Sequence, residues 1–563
     1  MRKMNFIKVL MILVFTLSGL NYVTGLNSCI SDNKISGEQE KNFTLAAKNG
    51  VLVNEALTRS KRYVDAWVPY ADPKTGLIPD NIFKDKKDND VWDIHNAAAD
   101  NYPFMVLTSS FTDTNLFKGR MLDMLNTEKK ITSRIGVLPD AYSFTKRSFE
   151  FDEPDIGRII FGSSEYVKDG LLSLTEWLGV SPWSERMIEI LDATWENAPF
   201  ETEFGTIVSD DVEVIGEMLQ TLSRIYFMTG DEKYLDWAIR MGDYYLLGNH
   251  HITRDLTVLK LRDHGCEIVS GLCELYAAVA YAKPEKREEY KKPIHEMLDR
   301  ILEVGRNEDG LFYGAINPVS GQVIKTHHPL TDSFGYTFNG FYTVYLLDSV
   351  ERYREATIKA LSVLKSKYTR YCWEDWSGTG GINGTGFHDG YADAIEGVLN
   401  LYTREPISSA ADWMDTEIHE MWAKQKESGV PEGGHGDGNF ARTSIMYSLW
   451  KTQGLQTQPW ISGLKLGAVP KQDSLYISIS ADFDWKGALI LDVERHKEIM
   501  NLPFDWPRIN QYPEYFTRKS DKMYKLIDIE TGKRTVYKGS EILNGIELSV
   551  KAGTESRLIL IEQ

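Results

Sequence analysis

Apolar residues recur at helical spacing along most of the first 450 residues, most clearly between 208 and 247. One helix face collects Val212, Ile215, Met218, Leu219, Leu222 and Tyr226. Thr229, Gly230 and Asp231 interrupt this pattern, and a second one begins with Tyr234, Leu235, Trp237, Ala238 and Met241. The segment therefore predicts a helical hairpin. We expect the polar stripe of its first helix, Glu213, Glu217, Gln220 and Arg224, to face solvent.

The same pattern returns many times, which predicts a mainly α protein. Helices are expected near 54–68, 167–178, 184–195, 212–228, 234–247, 267–282, 287–304, 335–347, 352–367 and 392–402. Short turns alternate with longer connections that are rich in Gly, His, aromatic and acidic residues. This alternation predicts hairpins in a closed ring over 51–455, with the functional loops at one end.

After about Trp460 the period of the apolar residues changes from helical to alternating. Strands are expected at 475–480, 487–492, 525–529, 546–550 and 558–561. Residues 460–563 therefore predict a small β-sandwich domain behind the helical one.

The N-terminus has the layout of an export signal, which we expect to occupy residues 1–28. An apolar run at 9–15 follows Arg2 and Lys3 and is too short to span a membrane. Leu26-Asn27-Ser28-Cys29 resembles a bacterial lipobox, which predicts a lipid anchor on Cys29 and a tether over 29–50; ordinary cleavage nearby, with Cys29 incidental, is the alternative. The expected location is the periplasm or the outer membrane, with the cell surface as a further option.

Charge and cysteine content exclude several classes of partner. The net charge is −18 and no Lys/Arg patch is dense enough to bind phosphates, so nucleic acid is not an expected partner. Cys266, Cys273 and Cys372 lack metal-ligand spacing, so we expect buried thiols, no metal and no cofactor.

Asp211 lies with the apolar residues of its helix, at the N-terminal end. Two interpretations stay open: it caps the helix, as Asp often does, or it points into a cavity. In the second case, the adjacent Asp210 and partial burial would let Asp211 hold a proton near neutral pH and act as a general acid.

Other chemistry-bearing residues cluster where loops meet helix starts. The candidates for catalysis are His264, Glu267, His388 and Asp389, next to Asp211; those for substrate binding are Trp92, His95, Asp100, Tyr102, Tyr336, Trp376, His435 and Arg442. Imidazoles and carboxyls beside flat rings are typical of sugar sites. The stripe of Glu267, Ser270 and Glu274 and that of Asp389, Asp393, Glu396 and Asn400 are equally consistent with solvated helix faces.

The layout resembles the six-hairpin glycosidase-like proteins, (α/α)6 toroids that degrade polysaccharides. The resemblance covers roughly residues 50 to 450 and rests on the repeated hairpins, the appended β domain, and the phrases at 72–80 and 229–238. Within that group the chain is most similar to unsaturated glucuronyl hydrolases and related glucuronidases, whose acid is an Asp at the start of an inner helix. The resemblance implies a similar role for Asp211.

Three functions follow as hypotheses. In the first, a glycoside hydrolase acts on oligosaccharides, including those with uronic acid: Asp211 protonates the leaving oxygen and Asp389 or Glu267 activates water. In the second, a lyase or dehydratase eliminates from a uronate through His264, His388 or His95 with a Tyr, while Arg442 or Arg262 neutralises the carboxylate. The third is a non-catalytic glycan-binding lipoprotein.

Overall fold

A computed structural model describes residues 35–82, 87–262, 264–325, 334–371, 386–432 and 436–563. The main helices in this part of the chain are α1 (Gly37–Trp67), α2 (Tyr102–Thr112), α3 (Thr114–Leu116), α4 (Leu122–Ile131), α5 (Ile156–Glu165), α6 (Leu172–Leu178), α7 (Pro182–Glu196), α8 (Val212–Thr229), α9 (Glu232–Leu246), α10 (Glu267–Ala282), α11 (Pro284–Val304), α12 (Asn339–Asp348), α13 (Glu351–Lys367), α14 (His388–Tyr402), α15 (Ser408–Ala423) and α16 (Asn439–Thr452).

These helices form two concentric rings, which confirms the predicted toroid. Within the described ranges, successive hairpins place α2, α5 with α6, α8, α10, α12 and α14 inside, each followed by an outer helix. The last helix, α16, lies inside between α14 and α2, and the first, α1, packs outside it. Because each hairpin reverses the chain, all inner helices run in the same direction and begin at the same end of the ring.

Local sequence explains where the hairpins turn. The Asp211 side chain caps α8 by accepting from the N–H of Glu213 at 2.9 Å, and α8 ends at Gly230, which takes a left-handed φ of 70°. Asp231 then caps α9. The inner helices α8 and α10 pack closely because Gly216 faces the backbone of Glu267, only 2.3 Å from where a Cβ would lie.

Three inner helices contain wider π-helical turns. These turns are Ile94–Asn101 before α2, Tyr166–Leu171 between α5 and α6, and Phe334–Phe338 before α12; a fourth, Phe117–Met121, lies in the outer ring. An extra residue in a helical turn redirects the side chains around it, and such turns are frequent at functional sites. The three inner ones carry His95, Asp100, Lys168, Asp169 and Tyr336.

The C-terminal part is a β domain of two antiparallel sheets. Earlier in the chain, short strands lie between the helices of the toroid: β1 (Val91–Trp92), β2 (Ser133–Ile135), β3 (Leu138–Pro139), β4 (Tyr142–Ser143), β5 (Ser148–Phe149), β6 (Phe200–Thr202), β7 (Gly205–Ile207), β8 (Leu259–Lys260), β9 (Ala315–Asn317) and β10 (Gln322–Lys325). The domain itself contains β11 (Gln456–Gln458), β12 (Leu464–Lys471), β13 (Ser474–Ala481), β14 (Trp485–Ile490), the short helix α17 (Arg495–Glu498), β15 (Met523–Asp528), β16 (Arg534–Lys538), β17 (Ile546–Val550) and β18 (Glu555–Glu562).

The larger sheet has the order β12-β13-β18-β15-β16 and the smaller one β11-β14-β17. Their inward side chains form an apolar core that is separate from the core of the toroid, as expected for a sandwich.

The tether predicted over 29–50 is wrong for its second half. Helix α1 begins at Gly37 with a capping box between Ser36 and Gln39, and its first turns pack on β12 and β13. Because this stretch is mostly polar, its sequence did not indicate the helix, which buries Phe43 and Ala46 on the β domain. Among the described residues, the structure shows no helix with the length and apolarity that a membrane crossing requires.

A segment of the β domain, residues 505–512, enters the axis of the toroid from the end where the inner helices finish. Arg508 donates to both oxygens of Glu176 at 2.7 and 2.8 Å. Arg224 donates to both oxygens of Glu274 at 2.7 and 2.8 Å and reaches the carbonyl of Ile509 at 3.0 Å. All four charged side chains are at most 2% exposed, so two arginines and two glutamates neutralise each other inside the ring.

We predict that Arg508→Ala destabilises the protein by roughly 3–5 kcal/mol, because it leaves Glu176 buried with less compensation. Urea unfolding measures this change. Arg352→Ala, which breaks an exposed pair with Asp299, is the control and should cost less than about 1 kcal/mol. Equal losses in the two variants would contradict the role of the buried network.

Candidate active site

The polar stripes of the inner helices face the axis of the ring and not the solvent. Glu217, Glu267 and Glu396 are at most 2% exposed, and their helices turn the apolar side toward the outer ring. The expected solvated stripes were therefore wrong. The reason is that an inner helix is covered on all sides, so its polar side chains meet those of the other inner helices. We call the end of the axis where these helices begin the axial site.

Three carboxyls meet in the axial site: Asp100 and Asp169 lie in two of the π-helical turns, and Glu165 directly precedes the second turn. Asp100, Glu165 and Asp169 each offer an oxygen within 4.8 Å of the others. Burial, followed by the charges of Asp437, Asp169 and Asp389, raises the pKa of Asp100 well above its usual range. Burial and the charge of Glu217 do the same for Glu165. Asp100 and Glu165 therefore bind a proton more tightly than ordinary carboxyls do.

One ammonium group lies against this cluster. The Lys168 side chain is 2% exposed, donates to Asp169 at 2.6 Å and contacts the Tyr336 hydroxyl. The charges of Asp169, Glu217 and Glu267 outweigh the effect of burial and raise the pKa of Lys168. Lys168 is thus a fixed cation that keeps Asp169 paired.

Two histidines stand at the mouth of the axial site. The His264 Nδ1 lies 2.6 Å from Glu213, the His95 Nδ1 lies 3.3 Å from Glu165, and the two rings stack at 6.1 Å. Their side chains are 45% and 32% exposed, so the mouth reaches solvent here. Burial alone would raise the pKa of Glu213, but the hydrogen bond and charge of His264 hold it below its usual value.

A second carboxyl pair lies at the starts of α14 and α16. Burial would raise the pKa of Asp389, but hydrogen bonds with Asp437 and Asn439 and the charge of His388 lower it. Burial and the charge of Asp389 raise the pKa of Asp437 well above its usual range. The surroundings thus push the two pKa values apart. The pKa of the nearby His388 is raised to about 9 by Glu432 and Asp437 against the effect of burial.

The tip of segment 505–512 forms the floor of the axial site. Asn510 donates its amide to Asp169 at 3.1 Å and its backbone N–H to Glu396 at 3.0 Å. Arg442 donates to Asn510 at 2.7 Å and pairs with Glu396 at 2.6 Å and Asp393 at 3.0 Å. Because Arg442 is 3% exposed and already paired, the expectation that it binds a substrate carboxylate or sulfate is not supported.

Three sequence candidates lie elsewhere. Asp211 is exposed and caps α8, so of its two interpretations the structure has the cap. Trp92 and Tyr102 are 2% and 4% exposed and belong to the core; the Tyr102 hydroxyl donates to the carbonyl of Met121 and accepts from Trp183. Substrate stacking by these two rings is therefore wrong.

The remaining candidates divide into two groups. The structure brings His95, Asp100, His264, Glu267, Tyr336, His388 and Asp389 to the axial site, whereas Trp376 and His435 lie outside the described residues.

Sequence reasoning missed Glu165, Lys168, Asp169, Glu213, Glu217, Asp437 and Asn510. The helical spacing of Glu213 and Glu217 was a usable signal, but it was assigned to the wrong side of the ring. Cys266 and Cys273 are buried thiols as expected, and Cys372 lies outside the described residues.

Two sets of site residues have the spacing to hold a cation, namely Glu165 with Glu213 and His264, and Asp100 with Glu165 and Asp169. A third set consists of His496, Asp505 and Glu514, which lie in segment 505–512 of the β domain or close to it in the chain. In the second set Lys168 already supplies the positive charge to Asp169.

No protein-family model matches the chain, and no curated protein matches it. Among solved structures, a glycoside hydrolase family 76 mannosidase from Bacteroides thetaiotaomicron is similar over 70% of this chain and 99% of its own, with 11% identity and a TM-score of 0.39. An unsaturated glucuronyl hydrolase from a Bacillus species is similar over 53% of this chain and 86% of its own, with 12% identity and a TM-score of 0.38. At such low identity and TM-score these likenesses carry no argument about chemistry.

Burial raises the pKa of Glu267 from 4.5 to about 7, and Glu213 adds to the rise while Lys168 opposes it. The folded protein therefore binds this proton more tightly than the unfolded chain does. The stability that this proton contributes is complete below about pH 4.5 and is lost as the pH rises through about 7.

We predict that Glu267→Gln becomes more stable relative to the wild type as the pH rises from 5 to 8, since the amide never ionises. Thermal unfolding at several pH values measures the difference between the two proteins. Glu185→Gln, at an exposed position, is the control and should show no trend with pH. A difference between Glu267→Gln and the wild type that does not vary with pH would contradict the assignment.

Proposed function

We propose that the protein is a glycan-degrading glycoside hydrolase that uses the axial site. The observation that carries the proposal is the meeting of carboxyls with raised and lowered pKa values at the mouth of one buried axis. Hydrolysis of a glycosidic bond needs one carboxyl that donates a proton and one that activates water or attacks the sugar. Carboxyls whose surroundings push their pKa values apart fill these two roles at the same pH.

Asp100 is our candidate for the proton donor. Its pKa is raised, it lies among the clustered carboxyls, and it is partly exposed, so that it can contact a sugar in the axial site. Glu165 and Asp169 lie within 4.8 Å of it. After each turnover Asp100 regains a proton from solvent, which balances the proton that the second carboxyl takes from the attacking water and releases.

Asp389 is our candidate for the second carboxyl. Hydrogen bonds with Asp437 and Asn439 and the charge of His388 lower its pKa, and its own charge raises the pKa of Asp100. Its Oδ1 accepts from Asn439 at 2.7 Å, which fixes the carboxylate in one orientation. In this scheme Asp100 protonates the leaving oxygen while Asp389 activates water.

Elimination from a uronate is the second candidate, because Tyr336 contacts the ammonium group of Lys168 inside the axial site. A phenol held in this way can carry a proton in an elimination. The product would contain a double bond conjugated to a carboxylate and would absorb ultraviolet light, whereas hydrolysis adds water and creates no such absorbance.

The site of action is part of the proposal. We propose export across the inner membrane and anchoring through Cys29, on the strength of the apolar run at 9–15 and the lipobox-like sequence that follows it. An exported glycan-degrading enzyme would meet oligosaccharides outside the cytoplasm.

We predict that Asp100→Asn and Asp389→Asn each lower kcat by about 10²-fold or more, the usual scale for loss of a general acid or base. The assay incubates each protein with a panel of plant, algal and microbial oligosaccharides and detects added or lost water by mass spectrometry.

Asp211→Asn is the matched control for this experiment. Because Asn caps a helix about as well as Asp, this variant should keep the wild-type rate and lose at most about 1 kcal/mol of stability. Loss of turnover in Asp211→Asn with normal turnover in Asp100→Asn would contradict the assignment, and unchanged glycan binding in all variants without any turnover would indicate a binding protein.

A further inference from the structure

The walls of the axial site carry a large excess of acidic groups. Its described residues include the carboxyls of Asp100, Glu165, Asp169, Glu213, Glu217, Glu267, Asp389 and Asp437. Several of them share a few ångströms of space, as the 4.8 Å limit on Asp100, Glu165 and Asp169 shows. A ligand that enters the axial site therefore meets oxygens that accept hydrogen bonds or carry negative charge.

The basic groups described at this site already have acidic partners. Lys168 lies 2.6 Å from Asp169, and Arg442 lies 2.6 Å from Glu396 beneath the floor. His388 is 4% exposed and stands between Glu432 at 3.7 Å and Asp437 at 3.9 Å. Binding a substrate carboxylate through these groups would mean breaking a buried ion pair, which is unfavourable.

The buried Glu217 has an oxygen that a ligand can complete. Glu217 is 1% exposed and lies among Lys168, Asp169 and Glu213, and its Oε2 is one of several buried carboxyl oxygens in the described part of the chain without a hydrogen-bond partner. Buried polar atoms are nearly always paired in folded proteins. Burial raises the pKa of Glu217, and a ligand hydroxyl can accept from the protonated acid or donate to the ionised one.

We propose that the axial site accepts sugar units without a carboxylate and favours a sugar ring that carries a protonated amine. The proposal rests on the proposed hydrolase site and narrows its substrate to neutral or amino-bearing glycans rather than uronates. Its physical basis is that hydroxyl and ammonium donors satisfy the acidic walls, while a uronate would bring a further negative charge into a desolvated acidic cluster.

Calorimetric titration of the full chain at pH 7 tests the proposal with three matched sets of six-membered rings. The sets are protonated imino sugars of the gluco, manno and galacto series, their uncharged lactams, and the same imino sugars with a carboxylate in place of the hydroxymethyl group. We expect the best imino sugar to bind at least about 10-fold more tightly than its lactam and about 100-fold more tightly than its carboxylate analogue.

Glu213→Gln provides the second arm, because His264 holds the pKa of Glu213 below its usual value, so the amide keeps the shape of the site and removes a negative charge. We expect it to reduce the preference for the imino sugar over the lactam. Equal or tighter binding of the carboxylate analogues, or no binding by any imino sugar, would overturn the proposal.

The two proposals fail in different ways. Imino-sugar binding without turnover of any glycan would remove the hydrolase but leave the charge preference intact. Turnover of uronate-containing glycans with no imino-sugar preference would keep the enzyme and overturn the charge preference.

Discussion

The buried ion-pair network of Arg224, Glu274, Glu176 and Arg508 is the interaction on which the site depends. It holds segment 505–512 of the β domain inside the ring, and so it places Asn510 beneath the carboxyl cluster. Charges are costly to bury, so each side chain of this network is stable inside the ring only with its partners in place. The β domain is therefore part of the architecture of the axial site, because the floor of that site belongs to it.

A second constraint follows from the ring itself. Inner helices have no solvent-facing side, so their polar stripes must be satisfied by one another along the axis. Deep in the axis the pairs are complete, as between Arg224 and Glu274. Near the helix starts carboxyls outnumber cations, and protons take the place of the missing positive charges, as the raised pKa values of Asp100 and Glu217 indicate. The excess acidity that would be a defect in a core is useful for proton transfer.

Much of the fold could be predicted from the sequence, because hairpin periodicity and turn chemistry are local. The helix predicted at 212–228 is α8 (Val212–Thr229), and the strand predicted at 546–550 is β17 (Ile546–Val550). The site was harder to predict because periodicity identifies a polar face without showing what covers it. Glu213 and Glu217 carry the same pattern on a surface helix as on an inner one. Asp211 was a candidate because its neighbours on the helix face are apolar, but its side chain accepts a hydrogen bond from the backbone of its own helix. Asn510, more than 300 residues from Asp169, gave no local signal at all.

The central claim is that sugar chemistry takes place at the axial site, between Asp100 and Asp389. A crystal structure of the full chain with a bound oligosaccharide tests it most directly, using Asp389→Asn to prevent turnover. We expect the glycosidic oxygen within hydrogen-bonding distance of Asp100, with the sugar ring above Asn510 and next to His95 and His264. An oligosaccharide bound at Asp210 and Asp211 on the rim, with the axial site filled only by solvent, would contradict the account.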